Sequence, residues 1–385
     1  MLENFLDAKP LYYDKIDYTR MPRVYENVKS SFFKTPKIIH LIGTNGKGTT
    51  GRFLASALSS LGFKTGHYTS PHILNFNERV WLSGEDVQDD LLNTAHKELL
   101  KLLTKEDADS LSYFEYTTLL AMWIYQECDY VVLEAGLGGE YDATAVFPKI
   151  LTLVVPIDMD HEAFLGDTVE KIARTKLNAV QNRAILANQK HKDVYKVAEE
   201  LSSEKAVSFS RVDESINADD KKKIATIAES LSLAPYLSEN LKLAIAALNY
   251  LEINYSTDSF ADSRLFGRLS QLSKNILVDV GHNTLAANSI LAALKGEKYI
   301  LVYNSFKDKN YKEILTVLKP IILHVELIEI VDTRAENIEI LREVIKDLSI
   351  VHKMFDRIDK NKNYLVFGSF SVVESFLNIY KAESE

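Results

Sequence analysis

The sequence predicts an α/β fold with mainly parallel sheets, and two observations support it. Apolar runs typical of strands alternate with helical patterns through most of the 385 residues. Several of these runs are apolar throughout, as expected for strands that helices cover on both faces. The strand candidates are 37–42, 130–135, 150–157, 183–187, 275–280, 298–304, 322–331 and 364–368.

Helical patterns fill the intervals between these runs, at 49–62, 89–103, 116–126, 240–251 and 311–318. The polar stretch Asn254–Ser263 is the best candidate for a domain boundary. We therefore expect two domains, a larger one over 1–256 and a smaller one over 257–385. The charged segment 213–223 is expected to form a surface loop.

Composition and charge exclude several classes of protein. Hydrophobic content of 46% and charged content of 26% are ordinary for a globular chain. A net charge of −9 and the lack of a basic stripe argue against a nucleic-acid partner. The single cysteine, Cys128, excludes a disulfide framework. The first fifteen residues are too polar for a signal peptide, and no apolar run reaches about 18 residues. We expect a cytoplasmic protein with no membrane partner.

The stretch "HLIGTNGKGTT", His40 to Thr50, has the composition of a phosphate-binding loop between a strand and a helix. Backbone N–H groups and the helix dipole favour an anion at such a point. A hairpin turn at Asn45-Gly46 is the alternative, but the helical pattern that follows disfavours it. The loop also differs from the common nucleotide loop, because Gly48 separates Lys47 from the next hydroxyl. We expect Lys47 to lie in the loop and to pack little.

Two polar segments follow further along the first half of the chain. The segment 68–87 carries Ser70 and His72, which can contact a metal or a phosphate, although a plain surface loop is the alternative. Glu134 ends an apolar run and precedes three glycines. A carboxylate at the end of a strand can hold Mg²⁺ near a nucleotide. A capped glycine turn is the simpler interpretation.

A third segment, 154–176, places Asp158, Asp160 and His161 directly after another apolar run. A hard cation can use Asp160 or His161, and a connecting loop is the alternative. A helix then begins with Asp167 or Thr168 as its N-cap. For Lys176 alone, a charge on the surface of that helix is the default.

The second half repeats the arrangement of strand, polar turn and helix. Arg268 lies in "LFGRLSQL", and Asp279, His282 and Asn283 lie in the turn of "ILVDVGHNTLAA". An aspartate here can accept hydrogen bonds from a ribose, and a histidine can approach a phosphate, although each residue alone fits a plain loop. Together, four polar clusters follow four apolar strands, at the sheet edge where ligands bind in open α/β folds. This pattern predicts a nucleotide site.

Eight motifs occur in one order: "HLIGTNGKGTT", "YTSPHILNFNERV", "SYFEYTT", "LEAGLGGEYDAT", "DMDHEAFLGDTVEKIARTK", "FGRL", "VDVGHN" and "NSFKDKNY". Together they resemble the dihydrofolate synthase/folylpolyglutamate synthase family, a branch of the Mur-ligase superfamily. The resemblance extends to "VFGSFSVVESF" near the end of the chain. It implies an N-terminal Mur-ligase-type P-loop domain that binds ATP and folate, a smaller Rossmann-like C-terminal domain, and a monomer.

The resemblance also implies a reaction. The carboxylate of a folate or pteroate attacks the ATP γ-phosphate, which gives an acyl phosphate and ADP. The amine of L-glutamate then displaces phosphate. Such chemistry needs Mg²⁺, a lysine and oriented N–H groups rather than a protein nucleophile. The small-molecule partners implied are ATP, L-glutamate and dihydropteroate or a reduced folate.

The resemblance assigns roles to individual residues. The phosphates would lie on Thr44, Asn45, Gly46, Lys47, Gly48 and Thr49. Other ATP contacts would come from Asn240, Arg268 and Asp279. Two Mg²⁺ ions would use Ser70, Glu134, His161 and Lys176, the last as a carbamylated lysine. Catalytic roles fall to Lys47, Lys176 and His282. The pterin pocket would contain Tyr113, Phe114, Tyr141, Asp142 and Ala143.

The sequence departs from the family pattern at three points, of which the first bears on the substrate. Glu140 replaces an arginine common in "GLGGRLDAT", which reverses a charge beside the expected pterin pocket. "TKLNA" replaces the usual "EKAGI" but keeps the lysine, and "DVGHNT" lacks the common alanine and proline of "DGAHNP". The first departure leaves open whether the acceptor is dihydropteroate, folate polyglutamate or both.

Three other functions fit the sequence less well. A related Mur-type ligase would add an amino acid to a different carboxylate, such as a peptidoglycan precursor, but the "TSPH" and "NFNER" motifs are of the folate type. A regulatory nucleotide-binding module that has lost catalysis would have no need to keep the residues Lys47, Ser70, Glu134, His161 and Lys176. A P-loop kinase is disfavoured because Gly48 breaks the adjacency of lysine and hydroxyl.

Overall fold

The structure is a computed structural model, and it describes residues 1–9, 17–32 and 34–383. These residues form two compact units, one of residues 1–232 and 237–264 and the other of residues 233–236 and 265–385. Both units are α/β, so the predicted fold class is confirmed.

The first unit contains an eight-stranded sheet and the helices that precede and follow its strands. Its elements are α1 (Leu2–Asp7), α2 (Arg20–Val28), β1 (Lys37–Ile42), α3 (Lys47–Ser60), β2 (Thr65–Tyr68), β3 (Val80–Leu82), β4 (Glu85–Asp86), α4 (Asp89–Leu102), α5 (Lys105–Ser110), α6 (Tyr113–Ile124), β5 (Tyr130–Glu134), β6 (Leu151–Val154), α7 (Glu162–Leu165), α8 (Val169–Leu177), β7 (Arg183–Leu186), α9 (Lys192–Glu204), β8 (Ser208–Arg211), α10 (Ala218–Ser230) and α11 (Pro235–Tyr250).

The order of strands in this sheet is β4-β3-β2-β5-β1-β6-β7-β8. In this order, each neighbouring pair among β2, β5, β1, β6, β7 and β8 is parallel. Strands β3 and β4 pair antiparallel at the edge beside β2. Central strand β1 is buried at every position from Ile38 to Ile42. This burial explains its uniformly apolar sequence, since helices cover both faces.

The second unit has a six-stranded sheet. Its elements are β9 (Ser270–Ser273), β10 (Ile276–Asp279), α12 (Thr284–Ala293), β11 (Tyr299–Tyr303), α13 (Tyr311–Leu318), β12 (Ile322–Leu327), α14 (Ile338–Asp347), β13 (His352–Met354), β14 (Tyr364–Phe367) and α15 (Phe370–Ala382). The strands follow the order β13-β12-β11-β14-β10-β9 in the sheet. All pairs are parallel except β10 with β9.

One expectation about local structure is wrong, and one expected helix starts earlier than the sequence suggested. The segment 213–223 is not a surface loop throughout, because α10 begins at Ala218. Asn217 and Asp220 form a capping box at its start, and Ile227 is buried. The helix expected at 116–126 begins earlier, at Tyr113, because Ser112 and Glu115 form another capping box.

The segment after residue 256 lies in the first unit up to Arg264. Phe260 is fully buried, and the backbone carbonyls of Ser259 and Asp262 accept hydrogen bonds from Ser60 and Ser56 of α3. The domain boundary expected after residue 256 stays a prediction. Among the described helices, none is both long and apolar enough to cross a bilayer.

Candidate active site

The loop between β1 and α3 is shaped by two glycines with positive φ. Gly43 has φ +132° and Gly46 has φ +101°. A Cβ on Gly43 would lie 2.3 Å from Val155 Cγ2, and a Cβ on Gly46 would lie 2.5 Å from Asn240 Oδ1. The backbone therefore requires glycine at both positions. Asn240, which the sequence predicts as an ATP contact, packs directly against this loop.

Thr44 fastens the loop to the segment after β6. Its backbone N–H donates to Pro156 O at 2.9 Å. Its hydroxyl donates to Asp158 O and accepts from Asp158 N, both at 3.1 Å. The Asp158 side chain in turn accepts a hydrogen bond from His191 Nε2 at 2.9 Å. These hydrogen bonds hold the loop against Pro156 and Asp158.

Lys47 is the first residue of α3, and the expectation that it packs little is wrong. Its side chain is 14% exposed and lies 3.9 Å from Glu134 Oε1. Its Nζ donates to Gly43 O and Thr44 O, both at 3.3 Å. The amino group is thus folded back over the loop carbonyls.

Two buried hydroxyl groups lie at the start of α3. Thr49 Oγ1 and Thr50 Oγ1 have no hydrogen-bond partner among the described residues. A buried hydroxyl left unpaired costs free energy, so these atoms favour a polar ligand. Thr49 belongs to the predicted phosphate loop, and its hydroxyl is chemically suited to a phosphate or a hard cation.

Glu134, at the carboxyl end of β5, is held by the segment after β2. Its Oε2 accepts a hydrogen bond from Thr69 Oγ1 and another from Ser70 N at 3.3 Å. The structure therefore brings together the predicted metal ligands Ser70 and Glu134. Thr69 was missed from the sequence, although it sits beside Ser70 in the same motif.

His161, the third predicted ligand, lies in the loop after β6. It has φ +51° and precedes α7, and its Nε2 is 3.6 Å from Asp160 Oδ2. No group of three or more His, Cys, Asp or Glu is arranged to hold a metal within the described parts of the chain. The imidazole of His161 contacts the carboxylate of Asp160, whereas Ser70 contacts that of Glu134.

Lys176 of α8 is buried, with 4% of the residue exposed. The interpretation as a charge on the helix surface is therefore wrong. Its Nζ donates to Gly43 O at 2.9 Å. Burial, and then the charge of Lys47, lower the pKa of this amine to about 7, while Asp160 and Asp142 oppose the shift.

The residues predicted for the pterin pocket lie in two places. Tyr141 and Asp142 line a cavity of about 560 Å³ together with Tyr18, Glu115 and Glu140. Tyr18 and Tyr141 pack ring to ring with centroids 4.4 Å apart. Ala143 is buried in the next stretch of chain, a short 3-10 helix that Asp142 caps. The Glu140 carboxylate accepts a hydrogen bond from Asn178 Nδ2 at 2.8 Å.

The other two predicted pocket residues begin α6. Arg79 lies over the ring of Tyr113, 5.2 Å from its centroid. Phe114 packs against Gly136, where a Cβ would lie 2.7 Å from the ring. Neither is among the residues that line the cavity. Phe114 is instead close to the glycine turn that follows Glu134.

In the second unit, Asp279 ends β10, and its carboxylate accepts three hydrogen bonds. Its Oδ2 accepts from Tyr236 OH at 2.9 Å and from Leu269 N at 2.8 Å, and its Oδ1 accepts from Gly281 N at 2.8 Å. Burial raises the pKa of Asp279, and the charge of Arg268 opposes this. No sequence signal indicated Tyr236.

Arg268 and His282 lie close to Asp279 in the chain and at the same edge of the sheet. The Arg268 guanidinium lies over the ring of Phe370, 5.3 Å from its centroid. His282 Nδ1 lies 3.2 Å from Val280 O. The carboxyl end of β10 therefore carries all three residues predicted for the second unit.

Comparisons with known proteins identify the family. The chain is 31% identical over 392 residues to the dihydrofolate synthase/folylpolyglutamate synthase of Haemophilus influenzae. This alignment covers 89% of this chain and 88% of that protein. The enzyme of the same name from Escherichia coli is 31% identical over 74% of this chain and 71% of its own length. The chain belongs to the dihydrofolate synthase/folylpolyglutamate synthase family.

Solved structures agree with this assignment. Helicobacter pylori folylpolyglutamate synthetase is 37% identical, with a TM-score of 0.80 and coverage of 99% of this chain and 98% of that one. E. coli FolC in complex with DHPP and ADP is 26% identical, with a TM-score of 0.84 and coverage of 100% and 98%. No family model matches the chain. The predicted family, fold class and enzyme class are confirmed, and the roles of individual residues stay predictions.

Proposed function

We propose that this chain joins L-glutamate to the carboxylate of a pterin acceptor and releases ADP and phosphate from ATP. The acceptor is dihydropteroate, a reduced folate or both. One observation carries the proposal: Lys47 and Lys176 both reach a glycine loop of phosphate-binding shape, in a member of a family named for these two reactions. The DHPP and ADP bound to the E. coli relative support the same substrates.

The loop supplies the electrostatics that the first step needs. The acceptor carboxylate attacks the γ-phosphorus, the bond to the bridging oxygen breaks, and ADP leaves. Negative charge gathers on the phosphate oxygens, where the N–H groups of residues 46–49 and the ammonium of Lys47 stabilise it. The glutamate amine then attacks the acyl carbon, loses a proton and expels phosphate.

The residues around Glu134 fit Mg²⁺, which prefers oxygen ligands. Glu134, Ser70 and the unpaired hydroxyl of Thr49 are hard donors, and Thr69 restricts the rotation of the Glu134 carboxylate. His161 and Lys176 complete the proposed ligands of two ions. Bound Mg²⁺ would neutralise phosphate charge and align the γ-phosphate for attack.

Lys176 is proposed to carry a carbamate. Its amine would attack CO₂, form an N–C bond and release one proton, which leaves a carboxylate at the tip of the side chain. Burial beside Gly43 supports this, because an amine with a pKa of about 7 is neutral in a large fraction near pH 7. The new carboxylate would supply oxygen ligands to the second Mg²⁺.

This modification has its own test. Protein supplied with ¹³C-bicarbonate should give a carbamate carbon signal by NMR that is absent from Lys176→Ala. Short carboxylates should partly restore the activity of that variant. An identical carbon spectrum in both proteins would show that Lys176 stays an unmodified amine.

The remaining ATP contacts are proposed for Asn240, Arg268, Asp279 and His282. Asn240 packs against Gly46 in the first unit. The carboxyl end of β10 in the second unit offers a guanidinium and an imidazole beside a carboxylate. These groups suit phosphate oxygens and a ribose hydroxyl.

The acceptor is proposed to bind along Tyr113, Phe114, Tyr141, Asp142 and Ala143. The cavity beside Tyr141 has room for a fused ring, and the Tyr18–Tyr141 pair offers an aromatic surface for it. Glu115 and Glu140 make this cavity acidic, which favours the amino-substituted edge of a pterin over the anionic end of the acceptor.

The deciding experiment measures ADP release from purified protein with Mg-ATP and L-glutamate, with dihydropteroate and tetrahydrofolate in separate reactions. Release with dihydropteroate alone identifies a dihydrofolate synthase, and release with tetrahydrofolate alone identifies an enzyme that extends the tail. Release with both identifies a bifunctional enzyme. No release with either acceptor, from protein that binds ATP, would contradict the pterin assignment and favour a different carboxylate.

Two further properties follow from this proposal. We infer that the enzyme is a monomer, as the family resemblance implies. We also infer a cytoplasmic location, because the reaction consumes ATP.

A further inference from the structure

A buried relay of three side chains connects β1 to the turn that follows β5. It consists of His40, Thr144 and Asp142. His40 Nε2 lies 2.8 Å from Thr144 Oγ1, and Thr144 Oγ1 donates to Asp142 Oδ1 at 2.5 Å. His40 and Thr144 are fully buried, and Asp142 is 7% exposed. The reaction proposed above assigns no role to His40 or Thr144.

The hydrogen bonds of the relay have one direction. The Thr144 hydroxyl has a single proton, which goes to the carboxylate, so His40 Nε2 must be the donor to Thr144 Oγ1. His40 Nδ1 is buried and has no hydrogen-bond partner among the described residues. A proton there would be buried without an acceptor, so the ring is the neutral Nε2–H tautomer. Burial and the charge of Lys149 lower the pKa of His40, which keeps the ring neutral.

Asp142 is held at both of its oxygens. Oδ1 also accepts from Thr144 N at 2.9 Å, and Oδ2 accepts from Leu137 N at 2.8 Å. Lys149 is buried nearby and donates to Ala145 O at 2.7 Å. The Asp142 carboxylate therefore links the two ends of the turn from Leu137 to Thr144. The hydrogen bond from His40 to Thr144 attaches that turn to β1.

We propose that His40 and Thr144 are positioning residues for acceptor binding, because their hydrogen bonds hold Asp142 and its turn in place against β1. The proposal rests on the proposed function. Asp142 and Tyr141 line the acceptor cavity, whereas His40 lies three residues before Gly43 of the phosphate loop. The relay thus fixes one wall of the cavity relative to the loop that holds the phosphates.

The first test compares Michaelis constants for the two substrates. Thr144→Val and His40→Leu should each raise the KM for the pterin acceptor roughly tenfold, the ratio that about 1.4 kcal/mol produces. The KM for ATP should change little, because neither variant touches the loop. His40→Gln should recover most of the affinity, since its Nε2 can still donate to Thr144. The acceptor KM of the double variant should be no higher than that of the poorer single variant, because both substitutions break the same series of hydrogen bonds.

His96→Leu is the matched control. His96 is also a buried histidine in the first unit, and its Nδ1 pairs with Tyr116 OH at 2.6 Å. Its loss should lower stability without a change in acceptor KM. Acceptor KM values like wild type in Thr144→Val, or an equal rise in His96→Leu, would overturn the positioning role.

The second test needs no catalysis. A ¹⁵N–¹H spectrum of the histidine side chains should assign His40 to the Nε2–H tautomer, and its Nε2–H resonance should shift in Thr144→Val. A proton on Nδ1 would overturn the relay. A wild-type protein that binds ATP but forms no amide would contradict the proposed function instead, and the tautomer would still be measured. The two failures are therefore distinguishable.

Discussion

Lys47 and Lys176 direct their amino groups to one acceptor, the carbonyl oxygen of Gly43, at 3.3 and 2.9 Å. Two ammonium groups at one carbonyl repel each other. The repulsion adds to burial and lowers the pKa of Lys176 to about 7. Lys47 has a carboxylate at 3.9 Å, Glu134, that compensates its charge. The pair is therefore suited to two tasks, with Lys47 as the phosphate-binding cation and Lys176 as the amine that reacts or binds metal.

Replacement of Lys47 tests the first task. Lys47→Ala should lower kcat by roughly a hundredfold or more, because it removes a cation that acts where charge develops. The melting temperature should change by only a few degrees, since the variant also relieves the repulsion with Lys176. Lys101→Ala, which removes a side chain that is 66% exposed, is the control. Near-normal turnover in a folded Lys47→Ala protein would show that the loop does not take part in the mechanism.

The buried amine of Lys176 predicts a pH-dependent stability. Its pKa is about 7 when folded and 10.5 in the unfolded reference, so between these values the unfolded chain binds one proton more. Stability should therefore rise with pH across this window, by up to about 1.4 kcal/mol per unit. Lys176→Met removes the penalty, so its advantage over wild type should be largest below pH 7 and fade towards pH 10.

Urea unfolding at several pH values, in buffer free of CO₂ and divalent metal, measures this advantage. Lys171→Met, which removes an exposed amine from the same helix, is the control. A difference between Lys176→Met and wild type that stays constant with pH would mean that the amine is charged when folded.

Glu134 should set the affinity for Mg²⁺. Glu134→Gln keeps an acceptor for Thr69 but removes the negative charge, so half-maximal activity should need roughly tenfold more Mg²⁺. Thr69→Val should give a smaller shift in the same direction, because it frees the carboxylate to rotate. Glu127→Gln, at an exposed carboxylate, is the control. A lower kcat with unchanged Mg²⁺ dependence would assign Glu134 a role without metal.

The parts of the site that the sequence predicts are those with local signals. Glycines between a strand and a helix indicated the phosphate loop, and polar residues after apolar strands indicated Glu134 and Asp279. These inferences work because the carboxyl ends of parallel strands share one edge of the sheet. The same rule could not show that Lys176 is buried, because Lys176 lies within a helix and not at the end of a strand. Its spacing from Ile172 and Ala173, on the buried face of α8, is the signal that could have indicated it.

Contacts between distant segments escaped prediction for a physical reason. Tyr18 meets Tyr141, and Tyr236 meets Asp279, across separations of 123 and 43 positions that no periodicity encodes. The cavity wall that Tyr18 forms was missed for this reason. The contact of Tyr113 with Arg79, across 34 positions, escaped the sequence for the same reason.

The loop glycines should separate steric overlap from backbone strain. Gly43 and Gly62 both have positive φ, +132° and +90°. A Cβ on Gly62 would meet nothing within 4 Å, whereas one on Gly43 would meet both the side chain and the carbonyl of Val155. Gly62→Ala should therefore cost only the backbone strain, roughly 1–2 kcal/mol.

Gly43→Ala should cost more, roughly 3 kcal/mol or above, because overlap with a buried strand end is added to the strain. Since Gly43 O also receives both lysines, the displaced loop should weaken ATP binding by roughly tenfold or more, which Gly62→Ala should not do. Chemical unfolding and ATP titration of the two variants measure both effects. Equal losses of stability would mean that Val155 yields to the new methyl group. Unchanged ATP binding in Gly43→Ala would then show that the positions of Lys47 and Lys176 do not depend on this carbonyl.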